Sequence, residues 1–343
     1  MRAPDHDRIP ETALSWHREG RGAALATVVD TWGSAPRPIG AQLAISGASD
    51  LMGSVSGGCV EGAVIAEALE GIEAGDARLM EFGVSDDDAF AVGLTCGGRI
   101  RVLVEPIGSA LPEEFLTTLV EARSERRPIA IETRIAPAVT PIARIGRPEH
   151  RFLGYSDVPT RFDADRSGFE EEAPDRFISI HNPPLRLAIV GGVHIAQPLA
   201  AMARHAGYDV IVIDPREAFA SPERFPGERL VHDWPDAALD ALGLDLRTAV
   251  ALLTHDPKID DAALMRALPS EAFYIGALGS KRTHAKRVAR LQEAGFSEAQ
   301  IARIDGPIGL DIGARSPAEI ALSVLAEMTE RLRRPETRPG SAA

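Results

Sequence analysis

The chain has 343 residues, 45% of them hydrophobic and 25% charged, and carries a formal net charge of −13. That is the composition of a globular protein long enough for two or more domains. The acidic balance speaks against nucleic acid and anionic membrane surfaces as bulk partners, and no run approaches the roughly 18 apolar residues that span a bilayer.

The opening "MRAPDHDRIPETALSW" has no apolar signal core, so a cytoplasmic location is expected. A helix is expected near 11–19, then a strand over "AALATVVDTWG", a turn and second strand over "SAPRPIGAQLAIS", and a short strand "LMGSV". Next comes "SGGCVEG", residues 56–62, ahead of a helix whose apolar residues Val64, Ile65, Ala68, Leu69 and Ile72 recur at helical spacing. Gly57, Gly58 and Cys59 therefore sit where a strand ends and a helix begins. Free N–H groups and the helix dipole would there lower a thiol's pKa and attract an anion; the competing reading is a small, inert, buried thiol.

Strands over "RLMEFGV" and "RIRVLVEP" follow, separated by "SDDDAFAVGLTCGG". Cys96, Gly97 and Gly98 thus form a second glycine-rich turn. The chain has only two cysteines and no CxxC pair, which argues against a disulfide framework and a zinc site. Their shared setting predicts that Cys59 and Cys96 converge on one site.

From 107 to 184 the periodicity weakens. "RPIAIETRI" reads as a strand, but the stretch around "GRPEHRFLGYSDVPTRFDADRSGFEEEAPDR" is rich in polar and turn-forming residues, so a connection with limited structure is expected. The tail 333–343 is expected to be disordered.

The last part reads as α/β. "LRLAIVGG" is a buried strand, "VHIAQPLAAMARHAG" a helix and "YDVIVIDPR" a second strand, the order of a mononucleotide-binding half of a doubly wound sheet. "TAVALLTHD" and "AFYIGALGS" continue the alternation, and Ser316, Pro317 and Glu319 mark a capped helix start. The glycine fingerprint at 191–196 keeps Gly191 and Gly192 but has Val193 where close phosphate approach needs glycine. Asp214 stands where a ribose-binding acid would, with Arg216 two residues on as an acceptor for a 2′-phosphate. Gly279, Ser280 and Lys281 offer N–H donors and a cation at a helix start, an anion cradle; the alternative for Lys281 and Arg282 is a solvated helix face. His194, His255 and His284 lie on separate elements and read as structural.

With these motifs in place the sequence resembles the xanthine dehydrogenase accessory protein (XdhC/CoxI) family. The resemblance rests on "GSAPRPIGAQLAISGASDLMGSVSGGCVEG", "TCGGRIRVLVEP", "LAIVGGVHIAQPLA", "IDPREAFASPERFP", "LTHDPKIDD", "FYIGALGSKRTHAKR" and "GPIGLDIGARSPAEIA", and spans roughly 33–106 and 185–328. It implies a mixed α+β cofactor-handling domain over 10–106, the connection 107–184, and a Rossmann-like doubly wound domain over 185–332. It further implies a chaperone that binds molybdenum cofactor, as molybdopterin or its cytidine dinucleotide form. Such a protein protects the cofactor, supports its sulfuration and delivers it to a molybdenum hydroxylase of xanthine dehydrogenase or carbon monoxide dehydrogenase type. Carried over by position, Cys59 and Cys96 are candidates for the molybdenum or sulfur end. Gly191, Gly192, Asp214, Gly279 and Ser280 are candidates for the nucleotide-like end. A cysteine desulfurase is an implied partner, and a homodimer is expected from base rates.

Two other readings compete. An NAD(P)-dependent oxidoreductase is favoured by the β-α-β unit and Asp214 and disfavoured by Val193, so that NAD(P) is not expected as a cofactor. A hydrolase with Cys59 as nucleophile needs a nearby histidine base, and the N-terminal third holds only His6 and His17.

Overall fold

The computed structural model describes residues 8–33, 37–83, 98–135 and 141–334. Cys96, Gly97 and the tail beyond Arg334 lie outside them. The chain divides into two compact units at Pro183 and Pro184.

The first unit opens with α1 (Ile9–Arg18) and the long strand β1 (Ala23–Trp32), followed by β2 (Gln42–Ser46), β3 (Leu51–Gly53), α2 (Glu61–Ala74), β4 (Ala77–Phe82) and β5 (Arg99–Pro106). Helix α2 ends because Gly75 takes up the left-handed conformation, φ 73°, and its N–H returns to the Gly71 carbonyl. With β7 (Ile142–Gly146) these strands make an antiparallel sheet in the order β3-β2-β1-β5-β4-β7. One face packs on α2 through Ala24, Ala26, Val28, Leu43, Val102, Val64 and Ala68.

The segment 107–184, expected as a connection, carries the other half of this unit. It holds α3 (Glu113–Ser124), β6 (Ile129–Arg134), β8 (Glu149–Leu153), a short α4 (Pro159–Asp163), β9 (Gly168–Phe169) and β10 (Arg176–His181), with a second sheet in the order β8-β6-β10-β9. Helices α1 and α3 and strand β6 close over the second face of the first sheet, burying Leu14, Leu25, Leu116, Leu119 and Ile131 together. The correction has a physical cause. Positions of the second sheet that face inward include Thr133, His150, Ser179 and His181, which line one small cavity with Thr27, Gln42 and Glu105 of the first sheet. His150 Nε2 and Glu105 Oε1 lie 2.7 Å apart, and Ser179 Oγ and His181 Nε2 3.1 Å apart. Burial, aided by the Arg123 charge, presses the His181 pKa down to about 3. A core face built partly from hydrogen-bonded polar groups leaves no alternation of hydropathy to read.

The second unit alternates β11 (Arg186–Val190), α5 (Ala196–His205), β12 (Asp209–Ile213), β13 (Arg229–Val231), α6 (Pro235–Leu242), β14 (Thr248–Leu252), α7 (Pro257–Ala267), β15 (Tyr274–Ala277), α8 (Lys281–Glu293), α9 (Glu298–Ile301), β16 (Ile304–Asp305) and α10 (Pro317–Arg333). All six strands are parallel, in the order β13-β12-β11-β14-β15-β16. This is the Rossmann order, with its switch point between β11 and β14. Helices α5 and α10 bury one face with Leu199, Ala203, Val324 and Met328; α6, α7 and α8 bury the other with Leu239, Leu264 and Leu291. The α10 start forms the expected capping box, Ser316 Oγ accepting from Glu319 N–H while the Glu319 carboxylate accepts from Ser316 N–H at 2.8 Å. Neither β13 nor β16 was legible, being three and two residues long.

Candidate functional site

In the first unit, strand register decides which loops share an end of the sheet. Thr27 pairs with Gln42, Leu43 with Gly53, Trp32 with Arg99 and Phe82 with Ile100. The β1–β2 connection, the loop after β3 and the residue entering β5, Gly98, therefore leave the sheet at the same end. Gly57, Gly58 and Cys59 belong to that loop, and Gly98 is buried at the mouth of β5. Convergence of Cys59 with Cys96 falls on a residue outside the described set. Among the described residues no group of three or more His, Cys, Asp or Glu is placed to hold a metal ion.

The loop 54–60 is built around one carboxylate that sequence reasoning missed. Glu61, first residue of α2, accepts from Ser54 Oγ at 2.7 Å, from the N–H groups of Ser56 and Gly58 at 2.9 Å, from Val55 N–H at 3.3 Å and from Ser56 Oγ. Burial alone would raise its pKa, but the hydroxyls of Ser56 and Ser54 and the Ser56 N–H outweigh it and bring the carboxyl down to about 2. Gly57 N–H donates to Ser54 Oγ at 2.8 Å and Val60 N–H to Ser56 Oγ at 2.9 Å. The expectation of free N–H groups around Cys59 is thus corrected, because most of this turn's donors are already spent on Glu61, Ser54 and Ser56. The available signal was a pair of serines two apart followed by an acid at the helix start. What stays open is the space beside the thiol: Cys59 is exposed, and a Cβ built on Gly58, φ 114°, would meet nothing within 4 Å.

In the second unit the glycine turn after β11 is closed. Gly191, φ 105°, lies against Thr254, and a Cβ on Gly192 would overlap the Phe219 carbonyl oxygen. Asp214, fully buried, accepts Gly192 N–H at 2.9 Å, Arg216 N–H at 3.0 Å, and Arg216 Nε and Nη2 at 2.8 Å each. Burial by itself would raise this carboxyl; the Arg216 guanidinium and the N–H groups of Arg216 and Gly192 hold it below the usual range. Arg216 also stacks on Phe219, 4.0 Å from the ring centroid. The acid expected to take a ribose is committed to its own chain, and so is the arginine expected to take a 2′-phosphate.

Across the switch point, Gly279 has φ 140° and a Cβ there would stand 3.0 Å from Thr283 Cγ2. Ser280 caps α8, its Oγ accepting from Thr283 N–H at 3.2 Å, and Lys281 and Arg282 are exposed. A buried network lies beneath: Thr254 Oγ1 donates to Asp260, and Arg287 Nη2 donates to Asp260 Oδ2 at 3.2 Å and to the Leu278 carbonyl at 2.9 Å. It ties the β14 exit to the β15 exit. Sequence reasoning missed it, although an acid and an arginine on the apolar faces of two helices were visible. His194 and His255 are exposed, and burial, with the Arg287 charge, lowers the pKa of His284.

The chain matches the XdhC Rossmann domain over residues 187–328 and the XdhC and CoxI family over residues 16–83. It is 32% identical over 324 residues to the molybdenum cofactor insertion chaperone PaoD of Escherichia coli, covering 94% of this chain and 88% of that protein. It is 28% identical over 328 residues to a probable xanthine dehydrogenase subunit of Bacillus subtilis, covering 91% and 94%. A crystal structure described as a xanthine dehydrogenase from Bacillus halodurans superposes with a TM-score of 0.69 at 24% identity over 97% of each chain, a likeness of fold. No helix among the described residues is long and apolar enough to cross a membrane.

Proposed function

The chain belongs to the XdhC and CoxI family, and from that premise we propose that it is a molybdenum cofactor chaperone. It binds the cofactor as cargo, shields it, supports its sulfuration and delivers it to a xanthine dehydrogenase-type molybdenum hydroxylase, without turnover of its own. A cysteine desulfurase as sulfur source, a second copy of the chain as partner and a cytoplasmic setting complete the proposal. The near full-length likeness to PaoD carries the reading. The geometry supports it in one respect above all: an exposed thiol beside Gly58, where a missing side chain leaves room for a bulky ligand. The cargo's metal-dithiolene end calls for a soft thiolate donor, which Cys59 supplies, with Cys96 as the second candidate.

A dinucleotide-dependent oxidoreductase fits less well, because the carboxylate that a ribose would need already holds Gly192 and Arg216. The test is activity of the client hydroxylase after co-expression with wild-type or Cys59→Ala chain, with a thermal melt and the molybdenum content of each purified protein. We expect unchanged melting, lower bound molybdenum and a client left inactive. Full client activation by Cys59→Ala would return this cysteine to the inert thiols.

A further inference from the structure

The barrier to a dinucleotide in the second unit does not lie where the glycine fingerprint places it. Val193 is half-buried and packs against the core beneath α5 and α10, so its branched side chain is spent on packing rather than on closing the turn. The closure comes from the strap that follows β12. The Phe219 carbonyl oxygen fills the space over Gly192. Phe219 N–H donates to the Arg216 carbonyl at 2.8 Å, and the Arg216 guanidinium lies 4.0 Å from the Phe219 ring centroid. Residues 217–219 are exposed. The next anchor is Ala220, which is buried and whose carbonyl oxygen lies 2.8 Å from His232 Nε2.

Arg216 meets Asp214 as a fork. Its Nε donates to Oδ1 and its Nη2 to Oδ2, both at 2.8 Å. A ribose held by an acid at this strand end gives it hydroxyl donors, and a cis-diol can present one to each oxygen. The other two donors to Asp214 are the backbone N–H groups of Gly192 and Arg216, which do not depend on the guanidinium. A bidentate guanidinium–carboxylate pair is charge-assisted, and this one is intramolecular, so neutral hydroxyls compete with it at a disadvantage. Asp214 is fully buried while the Arg216 side chain is 40% exposed. The guanidinium can therefore leave into water without unpacking the core.

We propose that Arg216 is a specificity-determining residue of the second unit: its guanidinium stands in for a ribose diol on Asp214, and the 216–219 tip that it holds over Gly192 keeps dinucleotides out of the switch-point crevice. Specificity is built here by exclusion, against the ligands that this strand order otherwise admits. The exclusion stands on the geometry of the strap; that it reserves the unit for a cofactor cargo rests on the chaperone reading above.

The test is NADH fluorescence titration of the full chain, each variant accompanied by a thermal melt. A fork closed at least about 90% of the time lowers the apparent affinity about tenfold or more, so Arg216→Ala should bind NADH at least about tenfold more tightly than wild type. Arg216→Met keeps an aliphatic stem beside Phe219 and should gain likewise; it decides the matter if the alanine variant melts early. Val193→Gly leaves the fork closed and should stay within about twofold of wild type. Adding Asp214→Asn to Arg216→Ala should remove most of the gain. No gain in a folded Arg216 variant, an equal gain from Val193→Gly, or a gain left whole by Asp214→Asn would each overturn the assignment. Neither cargo nor client enters the titration, so its failure is distinct from failure of the chaperone reading, which client activation tests.

Discussion

Replacing Glu61 by glutamine should loosen the loop that presents Cys59 while leaving the rest of the first unit folded. The magnitude follows from the acidity of the carboxyl. Its pKa moves from an ordinary 4.5 to about 2, nominally roughly 3 kcal/mol of preference for the ionised form in the folded chain. Glu61 is only half-buried, and solvent screening reduces this to about 1–2 kcal/mol. The folded carboxyl is the stronger acid, so its contribution is complete above about pH 4.5 and is lost as pH falls toward 2. Glu61→Gln should therefore cost about 1–2 kcal/mol at neutral pH, and the gap to wild type should shrink below pH 4.5. Amide hydrogen exchange of Ser56 and Gly58, whose N–H groups donate to Glu61 at 2.9 Å, reads the local effect directly. Alkylation of the exposed Cys59 gives a second readout. Unchanged exchange at these two amides at pH 7 would refute the view that this carboxylate organises the loop.

Two further outcomes follow from the second unit. Gly192→Ala should destabilise that unit by more than about 2 kcal/mol, because the new Cβ meets the Phe219 carbonyl oxygen and the Ala220 N and must push backbone aside; a denaturant midpoint within error of wild type would show that the strap over the turn yields freely. Asp305, its carboxyl pushed up from 3.8 to about 6 by burial and the Glu327 charge against the pull of Arg331, favours the fold when protonated. Its contribution is full below about pH 4 and lost as pH rises through 6. Asp305→Asn should flatten that decline in chemical denaturation curves taken at pH 4, 5, 6 and 7, and a steeper decline would contradict it.

The sequence was legible where one physical force acted alone. Strand β5 reads to its observed ends, Arg99–Pro106, because Ile100, Val102, Leu103 and Val104 give it an apolar, β-branched centre ended by Pro106. The helix start at Ser316 reads because capping is local chemistry. The Rossmann unit reads because its parallel strands, buried on both faces, are unbroken apolar runs such as "LAIV" and "VIVI". Of the second sheet of the first unit only β6 read, within "RPIAIETRI"; β8, β9 and β10 did not, β10 because Ser179 and His181 stand at buried positions that hydropathy assigns to solvent. At the candidate site, residue types and strand ends were legible while the donor and acceptor accounts were not. Nothing in the one-dimensional pattern says that Arg216 turns back on Asp214, or that Glu61 gathers the donors around Cys59.

Those accounts separate two glycine turns that look alike on paper. Gly57-Gly58 and Gly191-Gly192 each follow a strand and precede a helix, and each holds a glycine with φ above 100°. In a fingerprint such glycines are read as room for a ligand. At Gly192 the room is taken by the protein's own backbone, so glycine is required there for packing. At Gly58 the room is empty and borders an exposed sulfur. The absent side chain has opposite consequences in the two places. What distinguishes them is whether a neighbouring segment can fold into the gap. The loop 214–225 does so over β11, latched by Asp214 and Arg216, while the donors of the Cys59 loop are drawn inward to Glu61 and leave the outer side of Gly58 bare. The conformation of the loop that exposes Cys59 is therefore set by Glu61 as much as by the glycines, because the carboxylate gathers the donors of Ser54, Ser56 and Gly58.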